Sequence, residues 1–456
     1  MKQKKHIFFV GIGGIGMSAL ARYFNLKGYT IAGYDLTPTS LTHKLEKEGI
    51  TITYNDDINQ IPQSMRNPDD VLVVYTPAIP HQNNIISYFR NNTFEVIKRA
   101  ALLGKVTQNY KSIAIAGTHG KTSISTFTAH LLYQSSLKCN AFLGGISANY
   151  QSNLLFDKNA AYTVIEADEY DRSFLHLKPH IALITSIDAD HLDIYGSYSE
   201  VKKAFNKFAQ KALKEGGRLI IHKDVLKKTD LPSQSLSYST DDKADYQALN
   251  TYYNNGEYTF DLATPKGVFE DLKVNLPGSY NFENALAATA LAIEAGIEPA
   301  ELREGLASLK GVERRFQVHI NQNITYIDDY AHHPKEIEAC IKSARHAFPG
   351  KKITVAFQPH LYSRTNDFSA EFAEALDLAD YIFLLPIYPA REEPIAGVTS
   401  QLIGNKLTKA KYQLINKTEV VEKLKKVIPE TFISMGAGDI GFMVDDIKKT
   451  LNQHLR

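Results

Sequence analysis

Short, unbroken apolar runs alternate with stretches that place apolar residues at helical spacing along most of this chain. "HIFFVG", "TIAGYD" and "DDVLVVYTPAIP" each read as a strand buried on both faces, and the segments between them as amphipathic helices. That alternation predicts a parallel, doubly wound sheet reaching to about Lys105. The polar segment "VTQNYKS", Val106 to Ser112, reads as a linker. A second α/β stretch opens with "SIAIAG" and continues with "AAYTVIEADEYD" and "HIALITSIDADHLD", each an apolar strand ending in acidic residues. From about 235 to 280 the chain turns polar and Tyr/Thr-rich with Asn-Gly, which predicts antiparallel strands. Helix-forming sequence follows in "LPGSYNFENALAATALAIEAG". Near Gly311 the pattern resets: "KKITVAFQ", "YIFLLPIY" and "TFISMGAG" read as strands, and "HPKEIEACIKSARHAF" and "NDFSAEFAEALDLAD" as helices. The expectation is an α/β protein of three domains, 1–107, 108–311 and 312–456.

Length agrees, since 456 residues exceed one ordinary core. Fifty-one basic against fifty acidic side chains leave a formal charge of +1, which argues against nucleic-acid binding through bulk charge. The two cysteines, Cys139 and Cys340, are far apart and outside any CxxC pair, so neither a disulfide scaffold nor a thiolate zinc site is expected, and a reducing cytoplasm fits. The start, "MKQKKHIFFVGIGGIGMSALA", imitates a secretory leader, but glycines interrupt its apolar part and no cleavage region follows. No run of about eighteen apolar residues is present, so no membrane-spanning helix is expected.

Two glycine-rich turns carry candidate chemistry. "VGIGGIGMSALA" holds Gly11-x-Gly13-Gly14-x-Gly16 between a strand and a helix, with Asp35 ending the next strand. Such a turn lets backbone approach a diphosphate at a helix N-terminus. It fits a nicotinamide-dependent oxidoreductase, yet specifies only the diphosphate. "GTHGKTS", Gly117, Thr118, His119, Gly120, Lys121, Thr122 and Ser123, resembles a P-loop but is short, with Ile115 where the first glycine is usual. Its amides can still wrap phosphate oxygens, with Lys121 as a point charge and the Thr122 hydroxyl within reach of Mg²⁺. Carboxylates are expected at neighbouring strand tips. "VIEADEYD" offers Glu166, Asp168 and Glu169, and "SIDADHLD" offers Asp188, Asp190, His191 and Asp193.

With these residues in hand the chain resembles the Mur ligases. The likeness follows "GIGGIGMSALA", "GTHGKTS", "IEADEYDRSFLHLKP", "DADHLDIYG", "LPGSYNFENALAA", "GVERRF", "YIDDYAHHP", "FQPHLYSRT", "PIYPAREEPI" and "MGAGDI" in order along essentially the whole chain. The short P-loop is the ordinary form in that family. The resemblance implies an N-terminal Rossmann-like domain for a UDP-sugar, a central P-loop ATPase with a mostly parallel sheet, and a C-terminal Rossmann-like domain that closes over ATP and amino acid. It makes the first loop, with Asp35, a holder of UDP rather than NAD. It also implies the branch that joins L-alanine to UDP-N-acetylmuramate for peptidoglycan synthesis, with ATP and two Mg²⁺ ions. A recycling ligase that joins a whole tripeptide to the same sugar is the alternative within the family.

By the same resemblance Lys121 meets the ATP phosphates, Thr122 and Glu166 hold one Mg²⁺, and His191 faces a second. Asn281 and Asn284 lie by adenine, in a segment where similar enzymes often have His at the position of Tyr280. Arg315 and Asp329 reach the nucleotide from the C-terminal domain. Tyr330, His332, His360 and Arg364 meet the amino acid and the reacting carboxylate. "MGAGDI" reads as a structural strand-to-helix turn.

Overall fold

The structure, a computed structural model, describes residues 4–455 apart from His81, Asn109, Asp190, His191, Ser233 and Arg391. Strands β1 (His6–Val10), β2 (Thr30–Tyr34), β3 (Thr51–Thr53), β4 (Val71–Tyr75) and β5 (Glu95–Lys98) form a parallel sheet in the order β3-β2-β1-β4-β5. Four of the five residues of β1 are buried, as its unbroken apolar sequence requires of a strand covered on both faces.

The second sheet comprises β6 (Lys111–Ala116), β7 (Cys139–Ser147), β8 (Ser152–Leu155), β9 (Tyr162–Glu166), β10 (Ile181–Ile184), β11 (Arg218–His222), β12 (Leu236–Ser239), β13 (Tyr246–Asn254), β14 (Glu257–Thr264) and β15 (Gly267–Val274). Its order is β15-β14-β13-β12-β11-β10-β6-β9-β7-β8, with β6 parallel to both β10 and β9. The Asn-Gly signal is a turn between β13 and β14: Asn255 has φ 48° and Gly256 φ 93°, both left-handed, as a two-residue hairpin demands. The expected linker is shorter than the polar composition suggested. Val106 and Thr107 end the helix Arg99–Thr107, and Lys111 already belongs to β6.

The third sheet holds β16 (Gln317–Asn321), β17 (Thr325–Asp329), β18 (Ile353–Phe357), β19 (Tyr381–Leu384), β20 (Lys411–Leu414) and β21 (Thr431–Met435), in the order β16-β17-β21-β18-β19-β20. Only the pairing of β16 with β17 is antiparallel among the described strand pairs of this sheet. The single helix expected over "NDFSAEFAEALDLAD" is two, Tyr362–Asp367 and Ser369–Leu376, broken at Phe368.

Contacts divide the chain into two compact units: Met1–Asn250 with Phe260–Leu272 and Asn284–Leu309, and Thr251–Thr259 with Lys273–Glu283 and Lys310–Arg456. The first sheet and most of the second, apart from end residues of β13, β14 and β15, lie in the first unit and share one apolar core. There the helix Ile15–Leu26 packs on β7 and β8, with the Tyr23 ring 5.3 Å from that of Phe142. Arg22, buried in that contact, pairs with Glu48 at 2.8 Å and donates to Asn153 Oδ1; Asn153 Nδ2 donates in turn to the Ile15 carbonyl at 2.6 Å and to Ser18 Oγ at 2.8 Å. A buried guanidinium needs such partners. They fasten the helix that follows the first glycine loop to the edge of the second sheet.

Candidate active site

The phosphate loop is built where β6 meets the helix Lys121–Gln134. Gly120 is the N-cap, with φ 82°, and Gly117 has φ 137°. Both conformations disfavour side chains, and a Cβ at Gly117 would stand 2.0 Å from Thr185 Oγ1. The residues after β10 strap the loop down. Thr118 N–H donates to the Ser186 carbonyl (3.1 Å), His119 N–H to Ser186 Oγ (3.0 Å), and Asp188 N–H to Thr118 Oγ1 (2.9 Å). His119 Nε2 lies 3.3 Å from Asp188 Oδ2. Asn284 stands over the loop, its Oδ1 2.8 Å from where a Gly120 Cβ would be. Ser123 is buried in the first helical turn.

The acids of "EADE" divide among three partners. Glu166 Oε2 accepts the Thr122 hydroxyl at 2.9 Å. Glu169, 4% exposed, brackets Lys121 Nζ at 2.8 and 2.9 Å. Asp168 Oδ2 faces Arg99 at 3.6 Å. Lys121 also donates to the Gly117 carbonyl at 2.6 Å. Burial works against its charge, but Glu169, Glu166 and Asp168 together outweigh burial and hold the ammonium above its ordinary range. The loop thus contains a fixed cation, and a hydroxyl beside a carboxylate. That pair of oxygen donors suits a small hard cation that takes its other ligands from phosphate and water. Gly144 gives Glu166 its room, since a Cβ there would meet Oε2 at 2.0 Å. Asp190, His191 and the side chain of Asp193 lie outside the described residues.

At the first glycine loop, Gly11 and Ile12 N–H groups donate to the Tyr34 carbonyl at 2.7 and 3.0 Å. Asp35 is engaged in the loop itself: Oδ2 accepts the Gly13 N–H at 2.8 Å and Oδ1 the Thr37 N–H at 3.3 Å. Gly14 caps the helix Ile15–Leu26. Gly16 carries the Arg99 guanidinium, whose Nη1 is 2.8 Å from an ideal Cβ.

In the second unit the residues after β17 and β18 form another cluster. Tyr330 lies beneath two cations, Arg314 at 5.3 Å and Arg315 at 5.2 Å from its ring centre, and 5.4 Å from the His332 ring. The His332 ring is 6.0 Å from His360, whose Nδ1 is 3.4 Å from Arg364 Nη1 and whose ring stacks on Tyr388. Burial, with Arg364 and Arg315 nearby, pushes the His332 imidazole below its ordinary value although Glu336 opposes. Glu336, which sequence reasoning missed, accepts the N–H groups of His332 and His333 at 3.1 and 3.3 Å. A Glu two residues after Pro334, at the third helical position, is a helix-start signal that could have revealed it.

Asp329 is buried, and burial pushes its carboxyl up. It accepts from Tyr280 Oη, Phe316 N–H and Ala331 N–H, each at 2.7 Å. Tyr280 is thus tied to a buried carboxylate through its phenol. Asn281 Nδ2 donates to the Pro277 carbonyl at 2.9 Å. "MGAGDI" is a structural turn: Gln358 links it to the end of β18, donating to Asp439 and accepting from Ile440.

The chain belongs to the Mur ligase family. The family's catalytic-domain model matches residues 6–111, the Mur ligase middle domain 115–292, and the Mur ligase glutamate ligase domain 314–443. Within the family it is similar to UDP-N-acetylmuramate–L-alanine ligases. The enzyme of Christiangramia forsetii is 47% identical over 449 residues, 98% of each chain, and that of Porphyromonas gingivalis W83 46% over 452 residues, 98% of this chain and 99% of the other. The crystal structure of the UDP-N-acetylmuramate–alanine ligase of Thermotoga maritima superposes with a TM-score of 0.80 at 28% identity, covering 99% of both chains. The three-domain, mostly parallel α/β fold is therefore that of the family. The nicotinamide reading of the first loop falls, because that loop lies inside a Mur ligase domain.

Proposed function

We propose that this protein is an ATP-dependent ligase that joins L-alanine to the lactyl carboxylate of UDP-N-acetylmuramate, releasing ADP and phosphate. The observation that carries the reading is full-length likeness, at 42–47% identity, to ligases of that name. The tripeptide-recycling alternative has weaker support: a murein peptide ligase from Psychrobacter arcticus is 23% identical, which speaks for the fold alone. We place the domain boundaries after residues 107 and 311.

A carboxylate resists attack by an amine until one oxygen becomes a leaving group. In the proposed sequence a lactyl carboxylate oxygen bonds to the γ-phosphorus of ATP while the bond from that phosphorus to the β,γ-bridging oxygen breaks. The products are an acyl phosphate and ADP. The amine of alanine then adds to the acyl carbon, loses a proton, and phosphate departs with its bonding pair.

The first step brings an anion to a polyanion, and Lys121 is the fixed positive charge for it. The loop amides from Gly120 to Thr122 cradle the phosphates, and Asn284 stands at the edge of that loop by the adenine. Thr122 and Glu166 would hold Mg²⁺, which neutralises phosphate charge, and His191 is a further candidate ligand. The loop Gly11–Gly16 receives the UDP diphosphate, with Asp35 setting its shape. In the C-terminal domain Arg364 and His360 take the alanine carboxylate, Tyr330 and His332 line its approach, and Arg315 and Asp329 are the candidates for nucleotide contact; Asn281, in the central domain, is assigned to the adenine with Asn284.

Incubation with ATP, Mg²⁺ and UDP-N-acetylmuramate, with hydroxylamine in place of alanine, tests the reading. An acyl phosphate yields a hydroxamate on the sugar; its absence in protein that binds both substrates contradicts the mechanism.

A further inference from the structure

Arg99 is absent from every motif above, yet it touches two of them. It begins the helix Arg99–Thr107, directly after β5. Its guanidinium packs on Gly16, in the first turn of the helix that follows the first glycine loop, with Nη1 2.8 Å and Cζ 3.3 Å from an ideal Cβ. Its other neighbour is Asp168, two residues past Glu166. Arg99 and Asp168 line a small, half-open pocket together with Glu166, Ser173 and Phe174.

The side chain is three-quarters buried, at 23% exposure, yet its ion pair with Asp168, at 3.6 Å, is longer than a hydrogen bond. A guanidinium has five N–H donors, and buried ones are ordinarily filled by carboxylate or phosphate oxygens in paired geometry. Arg22, in the same unit, shows the filled state, with both Glu48 oxygens and Asn153 on its nitrogens. Arg99 has the same chemistry without that set, and its guanidinium is flanked by Gly16 on one side and Asp168 on the other.

We propose that Arg99 binds the diphosphate of the nucleotide-sugar, its guanidinium donating to phosphate oxygens held at the start of the helix Ile15–Leu26. Asp168 is the stand-in partner that keeps the guanidinium in place beforehand. This rests on the reading of the first glycine loop as the UDP-sugar site. It adds to backbone amides a cation that a substrate carrying a diphosphate requires and a neutral sugar does not. Arginine suits the task better than lysine because its planar fork meets two oxygens at once.

The test is calorimetric titration of the full chain with UDP and, separately, with UDP-N-acetylmuramate, without ATP or alanine. Wild type, Arg99→Ala, Arg99→Lys and Asp168→Asn are compared, each checked by thermal melting. The expected result is at least a tenfold weaker Kd for both ligands in Arg99→Ala, partial recovery in Arg99→Lys, and Kd unchanged or tighter in Asp168→Asn. Unchanged affinity in a folded Arg99→Ala overturns the proposal. Weakening confined to UDP-N-acetylmuramate also overturns it, because Arg99 then meets the sugar's acid instead. An equal loss in Asp168→Asn overturns it in favour of a purely structural ion pair. Wild type that binds neither ligand contradicts the reading of the loop rather than the role of Arg99 within it.

Discussion

Lys121 and Glu169 form a buried ion pair inside the phosphate loop, Nζ lying 2.9 Å from one carboxylate oxygen and 2.8 Å from the other. The cation proposed for phosphate is thus already neutralised at rest, and Glu169 sets where it stands. Removing Lys121 alone strands a buried carboxylate, which typically costs about 3–5 kcal/mol. Lys121→Ala should therefore melt lower and lose about 10²–10³ or more in turnover. The double variant Lys121→Ala/Glu169→Gln should recover melting temperature but not turnover. Recovery of both, measured by calorimetry and phosphate release, would make the pair structural only.

Gly144 offers a test of the metal assignment that changes no candidate ligand. Gly144→Ala puts a methyl group on Glu166 Oε2 and pushes the carboxylate off Thr122. The Mg²⁺ concentration for half-maximal turnover should rise severalfold while the KM for UDP-N-acetylmuramate stays near wild type. An unchanged Mg²⁺ dependence would argue against Glu166 as a ligand.

For His332, Arg364 and Glu336 act in opposite directions on the imidazole. Arg364→Ala should raise the His332 pKa and Glu336→Gln should lower it further, read from its ring signals by NMR across pH. In the amino-acid half-reaction, Arg364→Ala should raise the apparent KM for alanine at least tenfold with the KM for ATP little changed. Unaltered alanine kinetics would remove Arg364 from that site.

His130 gives a stability prediction. It is fully buried between Tyr150, Gly305 and Ser308, and burial lowers its pKa from 6.5 to about 4. The folded state holds it neutral, so its contribution is complete above pH 6.5 and is lost as pH falls from 6.5 towards 4. The loss amounts to about 3 kcal/mol at one pKa unit per 1.36 kcal/mol. Urea titrations should show an acid limb of stability that His130→Gln flattens. An equally steep limb in the variant would assign it to other groups.

Much of this was legible in the sequence where residues that act together are also neighbours in the chain. The strand, glycine turn and Lys-Thr helix start announced the phosphate loop, and apolar runs ending in acids announced the strand tips beside it. What "EADE" could not reveal was the division of labour, because Glu166, Asp168 and Glu169 take partners at 122, 99 and 121 that only the folded sheet brings near. Gly144 and Arg99 stayed hidden for the same reason. Tyr280 looked like a departure until its phenol was seen to donate to Asp329. The linker was overestimated because polar residues at the ends of a helix and a strand resemble a loop in composition.

The central claim is that the sugar's acid is activated by phosphoryl transfer and then captured by one particular amino acid. The most direct measurement is phosphate release by purified protein with ATP, Mg²⁺ and UDP-N-acetylmuramate across a panel of amino acids and the stem tripeptide. Release that depends on both the nucleotide-sugar and the amine, with kcat/KM highest for L-alanine, is the predicted result. Preference for the tripeptide, or no release with any acceptor, would contradict it.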